Sequence, residues 1–459
     1  MPTDGGYWAY LGCTPTRSGY SANPRSGSPA SATTDVVRYR DGGWAHGGAQ
    51  RRRLLIACLI SLVVACSGCG IIPGGKPAPA SATPRPSREG TSATHAPSRD
   101  SSPAAAPQAS LSCPARVLSR MSEAQRVGQL FLVGIAGEPV TDIAQAVRTY
   151  HFGSLLFGGN STASTAQIRQ MTRAAASLAS AQATARVRFF VAANQEGGEV
   201  QQLRGPGFSA IPPALDQGQL SARELQRQAA RWGRQLWSAG VNLDLAPVMD
   251  VVPRGTAAAN QPVGQLQREF GFSPAAVAAH GVAFIRGMRQ SGVATTAKHF
   301  PGLGRVVGNT DFTAGVVDPV TTADDPYLKS FQAAIKAGVP FVMVALATYT
   351  RIDPGHLAAF SPRIMRRLLR QQMRFRGVIV SDDLGAAAAV AGIPAAARGI
   401  DFLAAGGDLI TSEGLAAAEA MDQALLQRAA ADSAFRASVD AAVMRILAAK
   451  QAYHLMPCH

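Results

Sequence analysis

The sequence is poor in the signatures of metal and cofactor chemistry. Its 8 histidines are scattered and form no His-Glu-x-x-His, and its 6 cysteines make no pair of Cys-x-x-Cys motifs. No metal site is expected from such a set. No Gly-x-Gly-x-x-Gly opens a helix after the first predicted strand, which counts against dinucleotide binding, and no cofactor is expected. A Gly-x-Ser-x-Gly elbow for a serine nucleophile is also absent. The apolar run from Leu54 to Ala65 is 12 residues long, too short to span a bilayer, which takes about 20.

What is present is positive charge and a chain divided by composition. Of the net +15, residues 1–110 supply 11 Lys/Arg against 5 Asp/Glu. The remainder is read as spread along the rest of the chain, without a basic run or interleaved aromatics, so nucleic-acid binding is not expected. A basic surface suits an anionic partner. Residues 1–50 are rich in Gly, Ser, Arg, Thr and Pro with no apolar period, and are read as a disordered or untranslated leader. Residues 51–65 bring Arg51-Arg52-Arg53, the apolar run and a small residue before Cys66, the pattern of a secretory signal. Val63-Val64-Ala65-Cys66 fits the bacterial lipobox, in which the cysteine is acylated and begins the mature protein. An ordinary signal with a coincidental cysteine is the alternative. Residues 66–110, mostly Pro, Ala, Ser and Thr, are expected to form a disordered tether. The expected location is extracytoplasmic, at a membrane, with a lipid anchor through Cys66.

Cys13, Cys58 and Cys69 lie upstream of this cut or beside it, which leaves Cys113 and Cys458 at the two ends of a folded region, 111–459. In an oxidising compartment these two are candidates to pair and staple the termini; two unrelated thiols are the alternative. Within 111–459 the chain alternates strand-like and helix-like pieces. Strands are predicted at Gln129–Val133, Ser154–Phe157, Arg188–Ala192, Asn242–Leu245, Val293–Ala297, Phe341–Ala345, Val378–Val380 and Asp408–Ile410. Between them lie Ala-rich segments of helical period, among them 222–238, 274–290, 325–337 and 415–431. Eight such units predict an α/β fold, a single (β/α)8 barrel, rather than an open doubly wound sheet. A monomer is expected. In such a barrel the site lies at the C-terminal ends of the strands.

Polar motifs stand at the ends of predicted strands three, four, five and seven. They are Asn194-Gln195-Glu196-Gly197-Gly198, Gly240-Val241-Asn242-Leu243-Asp244-Leu245-Ala246-Pro247, Lys298-His299-Phe300-Pro301-Gly302-Leu303-Gly304 and Gly377-Val378-Ile379-Val380-Ser381-Asp382-Asp383-Leu384. In this order they resemble family 3 glycoside hydrolases, in particular the single-domain β-N-acetylhexosaminidases that act on peptidoglycan fragments. The resemblance implies a retaining glycosidase whose substrates are peptidoglycan-derived saccharides bearing terminal β-linked N-acetylglucosamine. A β-glucosidase of the same family, or a cell-wall-binding lipoprotein that keeps the barrel without turnover, are the rivals.

Retaining hydrolysis needs a nucleophilic carboxylate and a second group that first protonates the leaving oxygen and then activates water. The resemblance implies that Asp382 is the nucleophile; a helix-capping role is the plainer reading of Asp382-Asp383, and is the one expected for Asp383. Lys298 and Arg268 are expected to help keep Asp382 ionised. For the acid/base, the family's Asp-Ser-His corresponds to Asp311-Phe312-Thr313. Thr313 takes the histidine's place, and threonine is no proton donor near neutral pH. Asp311 becomes the candidate, as a partly desolvated carboxyl, with His356 beside Pro354-Gly355 as a second. The resemblance implies substrate contacts at Arg268, Lys298, His299 and Asn194, the last replacing an aspartate. Two arginines of the family fall on Glu199 and Gln202, with Arg204 near enough to compensate. Glu196 is given a structural role in its glycine turn.

Overall fold

A computed structural model describes residues 111–134 and 140–458. The leader, the signal segment with Cys66 and the tether to residue 110 lie outside the described residues. Eight strands share one parallel sheet: β1 Phe131–Gly134, β2 Ser154–Leu156, β3 Phe190–Ala193, β4 Leu243–Asp244, β5 Ala294–Phe300, β6 Phe341–Val344, β7 Val378–Ser381 and β8 Ile410–Ser412. Each strand pairs with the next from β1 to β7, and β8 lies against β1, with Phe131 opposite Ile410. A parallel bridge between Val380 and Leu409 closes the ring. Strands so short, buried on both faces and separated by helices, make the predicted barrel.

Helices at Ala222–Ser238, Pro274–Gln290 and Leu415–Ala431 occupy the segments their period indicated. The predicted helix 325–337 is divided instead. Asp325 caps a 3-10 turn, Pro326–Leu328, and the α-helix is Lys329–Lys336. Pro326 suits the first turn because it has no N–H to leave unpaired. Two strands also depart from expectation. β5 continues through Lys298 and His299 to Phe300, which pairs with Val344 of β6, so the cationic pair belongs to the strand rather than following it. β8 starts at Ile410, not Asp408. Asp408 is fully buried below it, accepting the Ile379 N–H and ion-paired with Arg370 and Arg445.

The floor of the barrel is aromatic. Phe190 meets Phe341 edge-on at 5.2 Å, and Phe131 lies 5.2 Å from Phe152. Lys450 is buried here, its ammonium donating to Gln129 Oε1 and to the Gly153 carbonyl. A disulfide joins Cys113 to Cys458, 345 residues apart in sequence. Among the described residues no helix is long and apolar enough to cross a membrane.

Candidate active site

At the C-terminal ends of the strands is a cavity of about 460 Å³, whose walls include Asn194, Arg268, Lys298, His299, Asp311, Asp382, Asp383 and Glu413. β5 supplies the centre. Lys298 and His299 are adjacent on the strand and both line the cavity, yet they find different carboxylates. The Lys298 ammonium lies 2.7 Å from Glu196 Oε1 and donates to Asn194 Oδ1 at 2.7 Å. The His299 ring contacts Asp250 Oδ2 through Nδ1 at 2.8 Å, while Asp250 Oδ1 accepts the backbone N–H groups of His299 and Leu303. The turn after β5 comes close to the strand-four loop: a Cβ on Gly304 would stand 2.0 Å from the Val251 carbonyl oxygen, so only glycine fits.

Glu196 binds two cations. Arg268 donates Nε and Nη2 to its two oxygens, each at 2.8 Å, and Nη1 to the Pro262 carbonyl. Burial alone would raise the Glu196 carboxyl, but Arg268 and Lys298 overcome it and hold the group at about 2. The hairpin Gln195–Gly197/Val200–Gln201 sets it in place, with Gly197 at φ +113° and no room for a side chain beside the Pro212 carbonyl. Glu196 therefore does more than the structural turn expected of it: it fixes two side chains of the cavity. Arg268 is committed to Glu196 by both of these hydrogen bonds.

Asp382 leaves the end of β7, its backbone N–H bonded to the Val344 carbonyl. Burial pushes its carboxyl up; His299 and Lys298 oppose this and Asp311 adds to it. Asp383 accepts N–H groups from Gly385, Ala386 and Glu413, so it ties the loops after β7 and β8 together; no helix starts here, and the expected helix cap is a loop tie instead. Asp311 reaches the cavity because its carbonyl and that of Thr310 accept the Ala388 and Ala389 N–H groups. Asp311 is exposed, which corrects the expected partial desolvation. His356 does not line the cavity. Its ring is bonded to Asp353 at 3.1 Å and its side chain is 56% exposed, so it has no access to the reacting centre. Arg204 likewise does not replace the missing arginines, since it donates to the carbonyls of Gly198, Glu199 and Gln201. Gln202 instead accepts the Asn194 N–H at 2.7 Å, and Glu199 is exposed.

Sequence reasoning missed Asp250, Asp244 and Glu413. Asp250 is a charged residue inside an otherwise apolar stretch, 245–252, and that contrast was the available signal. Asp244 is buried beneath the site with one oxygen accepting the Gln195 N–H and the other unpartnered; burial pushes it up to about 7. Glu413 follows β8 in the cavity wall with an exposed side chain, and partial burial, then Asp383, Asp311 and Asp382, raise its carboxyl. Among the described residues no group of three or more His, Cys, Asp or Glu is placed to hold a metal ion.

Known proteins are similar to this chain in sequence and fold. A crystal structure of β-N-acetylhexosaminidase from Beutenbergia cavernae DSM 12333 is 48% identical with a TM-score of 0.69, covering 72% of this chain and 99% of that one. A β-hexosaminidase of Stenotrophomonas maltophilia (strain K279a) is 38% identical over 218 residues, which make up 45% of this chain and 62% of that protein's length. One from Xylella fastidiosa (strain 9a5c) is 36% identical over 271 residues, 56% of this chain and 76% of that protein. Residues 123–449 match the family described as glycosyl hydrolase family 3 N terminal domain. That span runs from before β1 to beyond β8 and holds every side chain of the cavity, so the chain belongs to glycosyl hydrolase family 3.

Proposed function

We propose that the protein is a retaining β-N-acetylhexosaminidase that hydrolyses terminal β-linked N-acetylglucosamine, with peptidoglycan-derived saccharides as substrates. The observation that carries this reading is Asp382, set in the cavity wall with His299 and Lys298 acting to keep it ionised. Similarity to proteins named β-hexosaminidase supports the substrate class. Asp382 attacks the anomeric carbon as the glycosidic oxygen leaves with a proton, giving a glycosyl-enzyme; water deprotonated by the same acid/base group then releases the sugar. Asn194, Lys298 and Arg268 bind sugar hydroxyls, with His299 beside the reacting centre.

Asp311 is the proton donor in this reading, since its loop brings it to the cavity. A second reading assigns that step to Glu413. It rests on the place of Glu413 in the cavity wall; its raised carboxyl is in the direction a proton donor needs. The protein works outside the cytoplasm as a monomer, acylated at Cys66, with residues 66–110 as its tether.

Hydrolysis of 4-nitrophenyl N-acetyl-β-glucosaminide by the full chain tests this. Asp382→Asn should abolish turnover, and a slow fluorinated substrate should label Asp382 in the wild type, read by peptide mass spectrometry. An aryl leaving group needs little protonation, so loss of the acid should spare it while slowing disaccharide hydrolysis about 10²–10⁴-fold. Asp311→Asn and Glu413→Gln show which residue has that signature. A wild-type protein inert on this substrate and on the glucoside, yet binding muropeptides, would make it a binding protein instead.

A further inference from the structure

The end of the barrel opposite the cavity carries charge that catalysis does not use. Residues 363–376 contain six arginines and no Asp or Glu, which corrects the expectation of evenly spread charge; Arg363 bonds to the loop after β6, while Arg370, Arg374 and Arg376 stand at the strand-start end. They form a π-helical segment, Arg363–Gln372, and the turn into β7. Arg370 and Arg445 are committed to the buried Asp408. Arg374 and Arg376 are exposed and pair with no carboxylate among the described residues. Together with Phe375 these arginines line a groove of about 670 Å³.

A second basic group stands at the same end. Arg173 lies in the last turn of the helix Thr165–Ala176, Arg169 one turn before it, and Arg188 just precedes β3. They share a cleft with Trp237, a large aromatic that is 51% exposed. Arg169 and Arg188 donate to the carbonyls of Ser238 and His454, while Arg173 is exposed and unpaired with any carboxylate among the described residues. Cys113, near the start of the described residues, lies at this end too. Cys113 is bonded to Cys458, three residues beyond Leu455, whose carbonyl accepts the Arg188 N–H.

We propose that this strand-start face is a docking surface for an anionic phospholipid bilayer, with the cavity mouth turned away from the lipid. Guanidinium groups match lipid phosphates bidentately, and a surface tryptophan prefers the headgroup region, where its ring is half apolar. An anionic polymer would use the arginines but leaves Trp237 without a role. The inference does not rest on the catalytic reading.

Full-length protein with Cys66→Ser, so that no acyl chain contributes, is sedimented with phosphatidylglycerol/phosphatidylcholine vesicles and with phosphatidylcholine vesicles. Arg173→Gln/Arg374→Gln/Arg376→Gln should weaken binding to the anionic vesicles about tenfold or more. A control with the same loss of charge at the other end, Arg223→Gln/Arg254→Gln/Arg351→Gln, should stay within about twofold by the same rule, since those cations sit beyond a Debye length from the lipid. Trp237→Ala, which changes no charge, should also weaken binding, and guards against a triple variant that fails to fold. Equal losses in the two triples, or no preference of the wild type for anionic vesicles, would overturn the proposal. So would loss of polyphosphate binding in the first triple with vesicle binding unchanged, which would assign the face to a soluble polyanion.

Discussion

Glu196 holds Lys298 and Arg268 from one buried carboxylate, and its removal would leave two cations facing each other out of water. Breaking a buried ion pair by deleting one partner costs about 3–5 kcal/mol. Glu196→Gln is expected to fall in this range by urea denaturation at pH 7, and to weaken glycoside binding because both cations would relax. The pH dependence has a definite sign. The folded carboxyl titrates at about 2, below its ordinary 4.5, so its stabilisation is complete above 4.5 and is lost as pH falls toward 2. The wild type should therefore lose its advantage over Glu196→Gln between those values; a constant difference from pH 7 to pH 3 would refute the assignment. This pairing was hidden in the sequence because its members are 72 and 102 residues apart, and only strand order in the barrel brings them together. Asp382 was legible because a carboxylate pair ends an apolar strand. Asp311's exposure was not, since it depends on where the loop after β5 is pinned, at Ala388 and Ala389.

Elements were more legible than contacts. The alternation of short apolar runs with Ala-rich helical segments is a local pattern, and it located all eight strands to within a few residues. Errors came where polar residues sit inside strands. Lys298 and His299 read as a strand's end by polarity, yet neighbours on both sides continue the hydrogen bonding, and buried partners satisfy their charges. The joins between elements have their own chemistry. Asp383 accepts three backbone N–H groups from the loops after β7 and β8, so Asp383→Ala would remove the one acceptor that all three share. At about 1 kcal/mol or more per lost bond, a loss of about 2–4 kcal/mol is expected in thermal or urea unfolding. Asp382→Asn, beside it, accepts only one such bond and should lose activity with little change in stability. If the two variants lose stability equally, Asp383 is not the tie between these loops.

Across the whole molecule, the barrel tolerates ionisable groups deep in apolar surroundings, and their titration gives folding a pH dependence that the catalytic groups do not explain. Asp422, on the helix Leu415–Ala431, is 2% exposed with one carboxyl oxygen unpartnered, and burial pushes it up to about 7. Its folded value lies above the ordinary 3.8, so the protonated form is the one folding favours. The stability this contributes is complete below about 3.8 and is lost as pH rises through about 7. The shift corresponds to about 4 kcal/mol at most. Lys450 runs the other way: burial lowers it to about 7 from 10.5, so its contribution improves as pH rises between those values. A single wild-type profile would mix the two, and the comparison must be made against a variant at each pH. Asp422→Asn keeps the shape and removes the titration. It should match the wild type within about 1 kcal/mol at about pH 3.5, where the carboxyl is mostly neutral in both the folded and the unfolded chain, and exceed it at pH 8 by up to the few kcal/mol the shift allows. Urea midpoints at the two pH values read this directly, and the same difference at both would mean that Asp422 is solvated and ionised throughout.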